Sequence, residues 1–164
     1  MKINVSSILK DVYSSIEAEG EVEIQLIHYN QEDITVNTPI KVKALITNTG
    51  DNLEIIGHIQ ADMILKCSRC LKDFNYVFNT DFEEEISNKV DAEDVIHFEG
   101  DTVDLTDIVV NNLLLALPMK FLCSEECKGL CPRCGRDINS SKCDCTDENL
   151  DPRLTVLKDL LKAD

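Results

Sequence analysis

Eight cysteines carry the chemistry in this sequence. They run as Cys67-x2-Cys70, then Cys123-x3-Cys127-x3-Cys131-x2-Cys134-x8-Cys143-x-Cys145. Thiolates are soft donors, and zinc takes four of them in a tetrahedron, usually as close pairs presented by tight turns. CSRC at 67–70 and CPRC at 131–134 are such turns. Gly135 follows the second directly and suits a backbone bend that needs positive φ.

The cysteines divide into two sets of four. Cys131, Cys134, Cys143 and Cys145 form a local set that closes within fifteen residues. Cys67 and Cys70 must find partners across the fold, and Cys123 and Cys127 remain for them. Such a site would staple a hairpin tip to a distant segment. The expected cofactor is therefore zinc, as two ions. A single site drawing on both Cys127 and Cys131 is a stereochemical alternative that spacing leaves open. Buried free cysteines would sit at core-periodic positions, whereas these cluster in turns beside Lys and Arg. A catalytic dithiol belongs at a helix N-terminus after a strand, and CPRC lies in a polar, cysteine-dense stretch instead. An iron–sulfur cluster would use the same four thiolates.

Positive charge gathers around these cysteines. Lys66, Arg69 and Lys72 flank the first pair, and Lys120, Lys128, Arg133, Arg136 and Lys142 surround the later ones, in a chain of net charge −15. A four-thiolate zinc site carries about −2, so these cations can serve to neutralise it. Lys66, Arg69, Lys128, Arg133 and Arg136 are equally the candidate nucleic-acid contacts. The lack of tryptophan and the 5% aromatic content deny that reading an obvious base-stacking platform.

The elements that must position the cysteines read mainly as antiparallel β. EVEIQLI at 21–27 and IKVKALIT at 40–47 alternate polar and apolar residues with the period of a half-buried strand. A turn at 48–52 leads into a run at 53–65, which enters CSRCL, and FNYVFNTDFEEE leads out, so residues 67–73 form the tip of a hairpin. Ser6 to Tyr13 reads as a short capped helix. Residues 87–103 read as an acidic loop with a short strand near 95–98. Leu105, Ile108, Val109, Leu113, Ala116 and Leu117 recur at helical spacing up to Pro118, and that helix should pack on the sheet. Asp151-Pro152 opens an amphipathic C-terminal helix. The expected class is α+β: an antiparallel sheet, with barrel-like closure as one form, a packed helix, a Cys-rich zinc lobe and a C-terminal helix. The expected division is 1–122 for the α+β domain with its knuckle and 123–164 for the lobe and last helix.

At 164 residues the chain can build one ordinary core and a small appended lobe. The longest apolar run, Leu113 to Met119, falls far short of the ~20 residues of a membrane span, and the N-terminal stretch lacks the apolar region of a signal peptide. The expected location is the cytoplasm, where clustered cysteines bind metal rather than form disulfides. His28, His58 and His97 have no ligand spacing to one another. No phosphate-binding loop, nucleophile elbow or partnered carboxylate pair is present, so the expected protein is not an enzyme and has no small-molecule substrate or membrane partner.

Taken together, CSRCL, DLTDIVVNNLLLALP at 104–118, LCSEECKGLCPRCG at 122–135, CDC at 143–145 and DPRLTVLKDLL at 151–161 resemble the YceD family over nearly the whole chain. The resemblance implies a role in large-subunit ribosomal RNA accumulation, with a ribosomal large-subunit precursor, rRNA or a ribosomal protein as partner, and no known reaction. It also implies that the 131–145 site is an elaboration, since many relatives keep only the first pair. The expected protein is a zinc-binding ribosome-biogenesis factor; the alternatives are an adaptor or chaperone for a basic ribosomal protein, or a redox-switched zinc protein.

Overall fold

The structure, a computed structural model, describes residues 1–29, 32–88 and 95–145. The strands are β1 Lys2–Asn4, β2 Ser15–Val22, β3 Leu26–Tyr29, β4 Glu32–Val36, β5 Ile40–Asn48, β6 Leu53–Lys66, β7 Asp73–Ser87, β8 Ile96–His97 and β9 Thr102–Asp104; the helix is α1 Thr106–Ala116. Among the described residues, 1–68 and 72–123 form one compact unit, and 69–71 join 124–145 in a second.

The first unit is organised around β6. On one side β6 pairs with β7 along its whole length, from Leu53↔Ile86 to Lys66↔Asp73. On the other, its first half pairs with β5 and its far half with β4. β2 continues the sheet from β5, and β3 from β4. Alternation sets which face is buried: Ile40, Val42 and Ile46 of β5 and Ile55, Ile59, Met63 and Leu65 of β6 all point inward. Ile108, Val109 and Leu113 of α1 and Val103 of β9 belong to the same core. Asn112 donates from Nδ2 to Glu84 on β7 at 2.7 Å, tying the helix to the sheet. At the helix start, the Thr106 hydroxyl and backbone N–H both donate to the Asp104 carboxylate, which holds its pKa down at about 2.

The expected α+β class is wrong. Among the described residues the fold is mostly β, with nine strands and one eleven-residue helix. The sheet is open rather than barrel-like, because β2 and β3 end its path without meeting another strand. The exposed face explains this: Glu17, Glu19 and Glu21 of β2 point outward, and a charged edge resists further pairing. The expected C-terminal helix lies outside the described residues.

Two local expectations also change. The 21–27 run is not one strand; β2 begins earlier, at Ser15, ends at Val22, and the chain bends through 23–25 before β3. Its alternation continues across the bend, so periodicity could not reveal the break. Residues 6–13 form turns instead of a helix. Ser6 donates its N–H to the Asn4 side chain at 3.0 Å, an Asx-type bond that competes with helix start, and Tyr13 sits at φ 65°. Among the described residues, no helix is long and apolar enough to cross a membrane.

Candidate metal centres

The hairpin β6–β7 delivers the first cysteine pair. Its tip, residues 67–72, is closed by the Cys67 N–H donating to the Lys72 carbonyl at 2.9 Å. Leu71 takes the turn in the left-handed region, at φ 60°. Ser68 then fixes the segment after the helix: its N–H donates to the Phe121 carbonyl at 2.8 Å, and the Phe121 N–H donates back to Ser68 Oγ at 3.2 Å. Cys123 follows two residues later. The sulfurs of Cys67, Cys70, Cys123 and Cys127 lie within 4.8 Å of one another. Three of these cysteines are buried and Cys123 is exposed.

Arg69 plays a part that spacing did not disclose. Its carbonyl accepts from the Leu130 N–H at 3.2 Å, and its guanidinium donates to the Cys127 carbonyl at 2.8 Å and the Glu125 carbonyl at 3.4 Å. Gly129 faces the Arg69 carbonyl, where an added Cβ would come within 3.0 Å. Arg69 thus holds the 125–130 loop in shape, although its residue is exposed. Asn139 was also missed. It accepts the Lys128 N–H at 2.7 Å and donates from Nδ2 to Cys127 Sγ at 3.4 Å, a bond of the kind that orients a metal ligand and spreads thiolate charge. The only sequence signal was an Asp-x-Asn pair at 137–139, which reads as an ordinary turn.

The second turn repeats the first in miniature. The Cys131 N–H donates to the Arg136 carbonyl at 2.7 Å, the same five-residue closure as Cys67 to Lys72, and Gly135 stands where Leu71 stands, at φ 70°. CSRCLK and CPRCGR are therefore two copies of one backbone knuckle, each with Arg in third place and a cation in sixth. The sulfurs of Cys131, Cys134, Cys143 and Cys145 also lie within 4.8 Å of one another. Cys131 is buried, Cys143 half-buried, and Cys134 and Cys145 exposed.

Both groups fit a soft divalent cation. The Cys143 sulfur lies 3.4 Å from that of Cys131 and 3.5 Å from that of Cys134. That is too far for a disulfide, at about 2.0 Å, and close to the roughly 3.8 Å between sulfurs of a tetrahedral zinc site with 2.3 Å bonds. The protons are unevenly held. Backbone N–H groups of Cys134 and Arg133, with help from the Cys143 thiol, lower the pKa of Cys131 to about 6. The Cys145 N–H favours the Cys143 thiolate, yet the neighbouring thiols of Cys145, Cys131 and Cys134 outweigh it and push Cys143 up to about 12. A ready thiolate beside crowded thiols is a set from which a metal ion displaces the remaining protons.

The other candidates separate cleanly. Lys66, Lys128, Arg133 and Arg136 are exposed, as is Arg69. Arg133, the counterpart of Arg69, makes no side-chain hydrogen bond or ion pair among the described residues. His28 and His58 pair with Asp33 and Asp81 on exposed sheet positions, and His97 is exposed; none joins a cysteine group.

A family model described as "Large ribosomal RNA subunit accumulation protein YceD" matches residues 55–161, from the central strand through both cysteine groups. The chain belongs to the YceD family. It is 31% identical over 169 residues to the uncharacterized protein YlbN of Bacillus subtilis (strain 168), across all of this chain and 98% of that protein. It is 24% identical over 153 residues to the chloroplastic large ribosomal RNA subunit accumulation protein YCED homolog 1 of Arabidopsis thaliana, across 73% of this chain and 48% of the relative. The YCED homolog 1 of Zea mays is 22% identical over 160 residues, across 76% and 54% of the two chains. No solved structure matches. The YceD name ties the chain to a ribosome-related role, and the two four-cysteine groups are compatible with the metal binding read from spacing.

Proposed function

We propose that this YceD protein is a non-enzymatic zinc-binding factor of ribosome biogenesis that acts in the cytoplasm on large-subunit rRNA or its precursor particle. The observation that carries the reading is the second knuckle. Its four sulfurs have zinc-like spacing, while Lys128, Arg133 and Arg136 stand exposed beside them. Zinc would crosslink the four thiolates and hold those cations in a fixed array. Arginine forks and lysines so held suit phosphate oxygens. Lys66 extends the set at the first knuckle. Arg69, engaged with backbone carbonyls, serves the loop rather than the RNA.

Metal analysis and sedimentation test this together. Two zinc ions per chain are expected, one lost in Cys134→Ser and the other in Cys70→Ser. The protein should co-sediment with large-subunit precursors. Changing Lys66, Lys128, Arg133 and Arg136 to Ala should weaken that association and flatten its dependence on salt. The slope should fall by about 0.7 for each phosphate of single-stranded RNA that is no longer neutralised. A single zinc ion per chain would refute the two-site reading. Co-sedimentation unaffected by all four changes would refute the surface.

A further inference from the structure

The exposed face of the large sheet has a charge arrangement that the fold itself does not need. Its register places residues in rows across four strands. One row runs Glu19–Lys43–His58–Asp81, and its members are partnered: Lys43 bridges Glu19 at 2.9 Å and His58 meets Asp81 at 2.7 Å. The next row runs Glu17–Leu45–Ile56–Glu83. There two apolar side chains, Leu45 and Ile56, are 39% and 48% exposed between two carboxylates. The row beyond sets Glu54 directly opposite Glu85. Like charges directly opposite on a sheet destabilise it. Among the described residues, Glu17, Glu54, Glu83 and Glu85 have no cationic partner. Leu45 and Ile56 line a shallow concavity of about 650 Å³ together with Glu17, Glu19 and Asp81, and its one lysine, Lys43, is already bridged to Glu19.

We infer that this face docks a Lys/Arg-rich protein segment that carries an apolar side chain. The apolar pair would take the aliphatic residue, and the uncompensated carboxylates would take the cations on either side. Charge complementarity selects the partner: a polyphosphate chain would be repelled by the same carboxylates, and a second copy of this face would bring like charge to like. The unpaired glutamates, destabilising in the free protein, become favourable once a cation lies between them. The inference does not depend on RNA contact at the second knuckle.

The test uses the full-length zinc-loaded chain and a short synthetic peptide with leucines inside a run of lysine and arginine, followed by fluorescence anisotropy without RNA. A peptide of the same charge with glycine in place of leucine should bind several-fold more weakly. The double change Glu17→Lys, Glu83→Lys should weaken the leucine peptide at least about tenfold, and Ile56→Ala by several-fold, with zinc content and thermal unfolding midpoint serving as checks on the fold. Tight binding unaltered by the charge reversal would overturn the proposal. So would protection of this face by a second copy of the chain, or by an RNA oligonucleotide, in hydrogen exchange. Failure here would leave precursor co-sedimentation untouched, so it is distinguishable from failure of the ribosomal reading.

Discussion

CSRCLK and CPRCGR adopt the same closed loop, and their surroundings differ. The first caps a long hairpin, buries both of its cysteines and ties its arginine to backbone carbonyls. The second buries only Cys131, leaves Cys134 exposed and leaves its arginine without a side-chain partner among the described residues. The residue in fifth place shows the consequence. Both knuckles need a left-handed residue there, and the second uses glycine, which adopts it freely. The first uses Leu71 at φ 60°, a conformation costing a side-chain-bearing residue about 1 kcal/mol, and the paired strands hold it in place. The same ligand geometry is thus imposed by tertiary structure in one copy and by local sequence in the other.

The strongest way to break this comparison is to remove one ligand from each copy. Cys70→Ser should lose one zinc ion and lower the thermal midpoint of the β unit by about 6–12 °C, corresponding to about 3 kcal/mol in a chain of this size. Cys134→Ser should lose the other zinc ion and leave that midpoint within about 2 °C. Equal effects in calorimetry would show that the two copies are embedded alike. Next in size is Gly135→Leu, which imports the first knuckle's residue without its hairpin. It should weaken zinc at the second site by about tenfold, equivalent to roughly 1.4 kcal/mol of strain, as read by competition with a chromophoric chelator.

The arginines come third. Arg69→Ala should cost about 1–2 kcal/mol in denaturant unfolding, because it strips hydrogen bonds from the Cys127 and Glu125 carbonyls. Arg133→Ala should change stability by less than about 0.5 kcal/mol while weakening co-sedimentation with precursor particles. Reversed outcomes would exchange the roles assigned to the two arginines. The smallest effect belongs to Leu71→Gly. Relief of the left-handed strain and the greater freedom of glycine in the unfolded chain nearly cancel, so stability should move by less than about 1 kcal/mol. A large loss would mean that Leu71 packs more closely than its 59% exposure suggests.

Much of the cysteine grouping was legible because spacing restricts which thiols can converge. The local 131–145 set needs only a short return of the chain. Cys67 and Cys70 were then left with Cys123 and Cys127, and the structure brings those sulfurs together. Strands 40–48 and 53–66, the hairpin tip and the helix were legible because each carries an unbroken period. Ser15 to Gly20 was not, since Ile16, Ala18 and Gly20 give weak alternation on the inward side. The openness of the sheet was hidden too: strand pattern reports which face is buried, not whether the two ends meet. The loop-holding role of Arg69, and Asn139 altogether, escaped because their partners are backbone carbonyls, an N–H and a sulfur, and composition carries no mark of those.

The reciprocal bonds between Ser68 and Phe121 join residues 53 positions apart. During synthesis at about 5–20 residues per second, the hairpin tip must therefore wait ~3–10 s before Phe121 and the cysteines beyond it are made. Over that interval Cys67 and Cys70 form only half a site, free to bind metal weakly and release it. The fifteen-residue 131–145 set has no comparable delay. Firm retention of metal by the first group would then mark a β unit that has finished folding, whereas retention by the second would report nothing about it.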